Sequence, residues 1–216
     1  MSATDALIVW GGWEGHQPEA FAEHCAETLR AEGLTVEVSS SLDPLADGEA
    51  LRRLRLIVPI WSMGSIADGQ LAGLLDAVKS GVGIAGFHGG MGDAFRDAPE
   101  FQFLVGGQFV AHPDDIKDYE VKITDGESEL TRGLGDFRVT SEQYYMHVDP
   151  SNHVLATTVF DAQTAPWVTG TVMPVAWTRR WGDGRVFYSS LGHAPAELEV
   201  YEARELLRRG MLWAAR

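Results

Sequence analysis

Cysteine is nearly absent. Cys25 is the sole one among 216 residues, so an internal disulfide and any CxxC metal motif are excluded, and the fold has to stand on its core. Positive charge is scarce as well: 17 Lys and Arg stand against 31 Asp and Glu, a net charge of −14 with histidine neutral. Binding to nucleic acid or anionic lipid draws on clustered Lys and Arg, so neither partner is expected. Long apolar runs are missing too. Ala6–Trp10 and Leu56–Ile60 fall far below the roughly 18–20 residues that cross a bilayer. The opening Met1-Ser-Ala-Thr-Asp5 carries no basic segment ahead of its apolar run, so no secretory signal is expected and a cytoplasmic location is. Neither HExxH nor the phosphate-cradling GxxxxGK motif occurs. Gly81-Val-Gly83-Ile-Ala-Gly86 matches GxGxxG, but it runs into and through a strand, whereas a dinucleotide fingerprint follows a strand and opens a helix.

What is present is an ordinary globular balance, 45% apolar and 22% charged, which predicts one well-filled domain over residues 1–216. The first half alternates short apolar runs with helical patterns, the signature of βαβ units and a parallel sheet buried on both faces. Strands are predicted at Ala6–Trp10, Leu34–Val38, Leu56–Ile60 and Val82–Phe87. Pro18 opens a helix with Phe21, Cys25 and Leu29 at helical spacing, and Leu71, Leu74, Leu75 and Val78 mark another that stops at Gly81. Shorter helices are expected at Asp43–Leu54 and Ala94–Leu104. Further strands are expected at Tyr119–Ile123, Phe137–Thr140 and Val154–Phe160. Met173–Thr178 and Arg185–Ser190 flank Gly182-Asp183-Gly184 as a hairpin, with Pro174 suited to the start of an edge strand. A last helix carries Val200, Ala203, Leu207 and Met211 on one stripe, with Arg208, Arg209 and Arg216 near its negative end. The aromatics of the hairpin leave a homodimer open.

Ligands of open α/β sheets bind beyond the carboxyl ends of the strands. That rule selects three loops: Gly11–Pro18 with Trp13 and His16, Trp61–Gly64 with Trp61, and His88–Gly92 with His88. Indoles offer flat apolar faces to sugar rings, and glycines allow close backbone approach. Farther along, His112, Glu142, Tyr144 and His193 are candidate members of the same pocket. Glu142 sits just past a strand beside aromatics, which are expected to raise its pKa toward the range of a general base. His24 and His153 read as surface residues, and His147 is undecided. His16, His88, His112, His193 and Glu142 are ligand types for first-row divalent metals, so such a metal is a candidate cofactor.

The ordered set Gly15-His16-Gln-Pro18, Gly86-Phe-His88-Gly-Gly90, Gly107-Gln-Phe-Val-Ala-His112-Pro113, Glu142-Gln-Tyr-Tyr145 and Pro174-Val-Ala-Trp177 through Tyr188-Ser-Ser-Leu-Gly192-His193 resembles the ThuA-like, trehalose-utilisation family. The resemblance implies the flavodoxin-like three-layer α/β/α sandwich, with a mostly parallel sheet, of the class I glutamine amidotransferase superfamily. In that superfamily a cysteine nucleophile occupies the turn after a central strand. Here that turn carries His88, so cysteine-based glutamine hydrolysis is not expected. What the resemblance adds is a substrate class, glycosides and disaccharides, including sugars oxidised to 3-keto forms. A ketone at C3 acidifies the C2 proton, so a base removes it and the C1 substituent leaves, giving net hydrolysis, elimination or isomerisation. In this reading Glu142 or His88 is the base, His16 and His193 serve the enolate or leaving group, His112 helps bind substrate, and Trp13, Trp61 and Tyr144 are ring platforms. Two other readings stay open: a non-catalytic sugar-binding or sensor module, and a metal-dependent hydrolase of another substrate.

Overall fold

A computed structural model describes residues 4–215. Met1–Ala3, part of the stretch read for a secretory signal, and Arg216, counted among the cations of the last helix, lie outside the described residues. In chain order the elements are β1 (Ala6–Gly12), α1 (Pro18–Ala31), β2 (Val36–Ser39), α2 (Gly48–Leu51), β3 (Leu56–Ser62), α3 (Asp68–Lys79), β4 (Gly83–Phe87), α4 (His88–Gly92), α5 (Pro99–Val105), β5 (Gly107–Ala111), β6 (Ile116–Ile123), β7 (Phe137–Glu142), β8 (Tyr145–Val148), β9 (His153–Val159), β10 (Val172–Trp181), β11 (Gly184–Ser189) and α6 (Tyr201–Ala214).

Nine strands form one sheet in the order β2-β1-β3-β4-β11-β10-β9-β6-β7. Pairing is parallel from β2 to β11 and antiparallel from β11 to β7. Successive side chains of a strand point to opposite faces. Ala6 and Ile8 therefore join Phe21, Cys25 and Leu29 of α1 and Leu206 and Met211 of α6 on one side. Leu7 and Val9 join Leu74 and Val78 of α3 and Phe101 and Leu104 of α5 on the other. This is the three-layer, flavodoxin-like α/β/α sandwich. Both faces of the parallel strands are covered, which is why β3 is almost continuously buried. Strand β6 instead alternates, turning Tyr119 and Val121 inward and Asp118 and Glu120 to solvent.

Several elements depart from expectation for local reasons. The helix expected over Asp43–Leu54 is a 3-10 turn at Asp43–Ala46 followed by the single α turn of α2. Asp47 breaks it by leaving helical geometry, φ −89° and ψ 78°, and its side chain restarts the helix by accepting from Ala50 N at 3.0 Å. The helix expected from Ala94 begins only at Pro99, because proline lacks the N–H and keeps the preceding residue out of helical geometry. Pro174 lies not on an edge but inside the sheet, in β10 between β9 and β11; the β9–β10 register shifts between Pro174 and Ala176, and such an irregularity accommodates the missing donor. The hairpin's aromatics are not exposed: Trp177, Phe187 and Tyr188 are fully buried and Trp181 is half-buried. Strands β5 and β8, absent from the sequence reading, pair antiparallel as a separate two-stranded sheet. Among the described residues no helix is long and apolar enough to cross a membrane.

Candidate functional site

Four of the predicted residues meet at the carboxyl edge of the parallel strands. His16 ends a 3-10 turn, Glu14–His16, after β1. Gln17 then takes a left-handed conformation, φ 48°, before Pro18 opens α1. His88 directly follows β4 and also sits in the left-handed region, φ 47°, at a reversal from extended Phe87 into α4. Only a well-supported fold holds a bulky residue there. The support is visible: Tyr188 donates its hydroxyl to the His88 carbonyl at 3.0 Å, and His88 Nδ1 lies 2.9 Å from the Ser190 carbonyl oxygen. Glu142 is the last residue of β7, and His193 follows β11 in the turn begun by Gly192.

One oxygen of Glu142 is the focus. Its Oε2 lies 3.1 Å from His88 Nε2, 3.3 Å from His193 Nδ1 and 3.8 Å from His16 Nε2. Oε1 lies 3.7 Å from His112 Nε2. His16 is fixed from behind by Ser62 Oγ, 2.6 Å from its Nδ1. This approach needs a glycine next to His88, since a Cβ on Gly89 would stand 2.6 Å from the His16 ring and 2.8 Å from Ser62 Oγ. Glu197 ties the site together: Oε1 accepts from Ser141 Oγ at 2.8 Å and Ala194 N at 3.1 Å, and Oε2 accepts from Gly192 N at 2.8 Å. The residues flanking His193 and the residue before Glu142 thus share one carboxylate.

The electrostatics correct one expectation. Burial works to raise the Glu142 pKa, but its contacts with His16, His193 and His88 outweigh burial and hold the carboxyl well below the usual range. It is an anion, not a carboxyl poised near neutrality. Burial pulls His88 down to about 4 against the pull of the carboxylate, so its ring is neutral. The carboxylate raises the His193 pKa, with partial burial opposing. Cys25 is buried in the α1 core, its thiol pushed up by desolvation to about 12, and supplies no nucleophile.

The aromatic residues divide. Trp13 is 46% exposed and meets His16 edge-on at 4.6 Å between ring centroids, leaving indole surface open beside the cluster. Trp61 is half-buried and packs over Gly11 and Gly64. Tyr144 is buried, stacked on His88 at 4.1 Å and packed on Phe109 at 4.5 Å, so its ring backs His88 and offers no open platform. His112 is more open, with 34% of its side chain exposed. His153 pairs with Asp125 at the surface, His147 is exposed on β8, and His24 is half-buried on α1. A cavity of about 230 Å³ lined by Ile116, Thr140, His193 and Glu197 adjoins the cluster. Larger cavities of about 380 and 460 Å³ lie beside Leu51 and beside Arg179, but neither gathers more than one histidine. Ser62, Ser141, Ser190 and Glu197 were not singled out from sequence. Serines are too common to stand out, and Glu197 lies four residues past His193 with no strand end to mark it.

The model of the ThuA family, described as trehalose utilisation, matches residues 5–214. Comparison with curated proteins gives no match. Among solved structures the fold is similar to a ThuA-like protein from Bacteroides uniformis, with a TM-score of 0.79 and 18% identity over 98% of this chain and 91% of that one. It is also similar to a ThuA-like protein from Parabacteroides merdae, with a TM-score of 0.73 and 19% identity over 99% and 90%. A β-galactosidase from Bacillus circulans sp. alkalophilus matches with a TM-score of 0.62 and 13% identity over 99% of this chain and 31% of the larger protein. At these identities the structures establish the fold alone.

Proposed function

The chain belongs to the ThuA family, whose description, trehalose utilisation, gives it a carbohydrate-related role, and from that premise we propose that it is a single-domain enzyme acting on glycosides or disaccharides, 3-keto sugars foremost, by acid–base elimination, hydrolysis or isomerisation and without glutaminase activity. The observation that carries the reading is the convergence of three imidazoles on one anionic carboxylate oxygen at the strand ends, beside the open face of Trp13. Four imidazoles around one carboxylate gather groups that exchange protons or hold a cation beside a bound sugar.

The roles follow from access. His88 is 1% exposed and Tyr144 covers its ring, so it cannot reach C2 of a sugar resting on Trp13. His112 is the open imidazole, backed by Glu142 Oε1 in the manner of a carboxylate–histidine pair, and it takes the C2 proton; such contacts tighten when substrate fills the site. The electron pair of the C–H bond moves to the C3 oxygen as an enolate. It returns to expel the C1 oxygen, to which His193, at the mouth, delivers a proton. Addition of water to the resulting enone completes hydrolysis, and reprotonation of the enolate without expulsion gives isomerisation. The test is an NMR time course in deuterated buffer with 3-keto and unoxidised disaccharides. Deuterium at C2 or a released monosaccharide from the keto sugars alone is expected. Folded protein that only broadens the lines of one sugar, with neither exchange nor release, is a binding module, and the catalytic roles fall.

A further inference from the structure

We infer that His16, His88, Glu142 and His193 form a binding site for one divalent first-row transition cation, of the zinc, manganese or iron class; the inference rests on the reading of this cluster as the working site and names the cofactor it uses. The argument starts at His88. The Ser190 carbonyl can only accept, so His88 Nδ1, 2.9 Å away, carries the proton and donates it. In a neutral ring the lone pair is then on Nε2, and that atom faces Glu142 Oε2 at 3.1 Å. Two acceptors at this separation repel unless positive charge lies between them. A second proton on the ring would supply it, but at the cost of an imidazolium that is 1% exposed.

The surroundings favour a cation over a proton. A proton satisfies one nitrogen, yet three nitrogens from three separate loops are aimed at the same oxygen. Among the described residues, His193 Nδ1 is a buried atom with no hydrogen-bond partner although it sits 3.3 Å from that oxygen. One ligand atom from each residue lies within 4.8 Å of all the others. Ligands about 2.0–2.1 Å from a tetrahedral centre stand roughly 3.3–3.4 Å apart, close to the 3.1 and 3.3 Å separations of His88 and His193 from Glu142. The outer partners fit as well: a ligating histidine characteristically gives its other nitrogen to a backbone carbonyl or a polar side chain, and His88 has Ser190 and His16 has Ser62 in those places. Three neutral imidazoles and one carboxylate leave a divalent ion net positive, the charge an enolate formed beside Glu142 requires, and His193, ligating through Nδ1, keeps its Nε2–H for the leaving oxygen.

Metal-free protein, prepared with chelator and shown folded by circular dichroism, is titrated calorimetrically with Zn²⁺, Mn²⁺, Co²⁺ and Fe²⁺. One equivalent of at least one ion per chain is expected, with a visible ligand-field spectrum for Co²⁺ and a raised Tm. His88→Ala and Glu142→Gln are expected to weaken binding at least 100-fold and Ser62→Ala about 10-fold, while His153→Ala, at the surface pair with Asp125, leaves it unchanged. If the first two variants do not fold, Ser62→Ala decides. Absence of stoichiometric binding to folded protein, or binding untouched by all three site variants, overturns the metal site. Metal bound without turnover of any sugar leaves it standing and removes the sugar chemistry; turnover by metal-free protein that binds none of the four ions does the reverse.

Discussion

The five parallel strands and the antiparallel strands beyond β11 supply the site differently. Turns after β1, β4 and β11 deliver His16, His88 and His193, and the end of β3 delivers Ser62, all along one edge. The antiparallel part delivers Glu142 at the end of β7, and the small β5–β8 sheet brings up His112 and flanks Tyr144. The three imidazoles on Glu142 Oε2 thus come from one part, and the carboxylate with His112 on its other oxygen comes from the other. A parallel sheet puts every carboxyl end on the same side, so side chains from the turns after β1, β4 and β11 meet along one edge. The anion comes from a strand on the antiparallel side, and Ser141 and Glu197 lock that strand, β7, to the His193 turn.

Replacing the antiparallel contribution gives the largest expected effect. Glu142→Gln keeps the shape and removes the charge on which the imidazoles converge, and turnover of a 3-keto disaccharide should fall by about 10²–10⁴-fold, the usual range for lost acid–base groups. Arg138→Ala, on the exposed face of the same strand, should change it less than about two-fold, as surface substitutions generally do. Comparable rates for the two variants would break the division of labour. On the parallel side, Gly89→Ala introduces a methyl group 2.6 Å from His16 Cε1. The ring has to move, and displacement of about 1 Å costs on the order of 10²-fold in rate. A melt unchanged to within a few degrees, alongside that loss, would locate the effect in the geometry of the site.

The same contrast explains what the sequence disclosed. Parallel strands buried on both faces read as apolar runs, and the strand-end rule then marked the loops of His16, Trp61 and His88 without knowledge of the contacts. His193 was legible because it follows a strand. Glu142 was found by its position next to a strand, but the direction of its pKa was not, because the outcome is set by residues 126, 54 and 51 positions away in sequence. Composition around Glu142 reports burial alone, and burial alone points upward. Tyr144 looked like a platform for the same reason: an aromatic next to a candidate acid carries no sign of which face is already occupied. Strands β5 and β8 are five and four residues long and pair across more than thirty positions, so no local alternation marked them.

Stability should divide the sheet along the same line. Ile8, fully buried in β1 under α1, becomes a cavity in Ile8→Ala, and about 2–5 kcal/mol should be lost in denaturant unfolding. Ile123 ends β6 and is only partly buried. Ile123→Ala should cost about 1 kcal/mol, the centre of the distribution for single substitutions. Equal losses would mean that the antiparallel strands are packed as tightly as the parallel ones, against the alternating exposure of β6.

The smallest effect is expected where α6 joins the two parts on its outer side. Glu205 accepts from Arg208 Nε and Nη2, both at 2.8 Å, and from Arg209 Nε at 2.7 Å, while Arg209 Nη1 reaches the Arg132 carbonyl at 2.8 Å in the segment between β6 and β7. The Arg208 hydrogen bonds first, then those of Arg209, pull the Glu205 pKa from 4.5 down to about 2. A carboxylate whose pKa falls on folding adds stability above its unfolded pKa, and that stability is lost as pH drops from about 4.5 through about 2. Both arginines are partly solvated, so screening reduces the contribution to about 1 kcal/mol. Glu205→Gln should therefore lower the Tm by roughly 2–4 °C at pH 7. The gap to the parent protein should narrow as pH falls below 4.5 and close near 2. A gap that stays constant with pH would assign the loss to packing of α6, and the charge would then contribute nothing to the join.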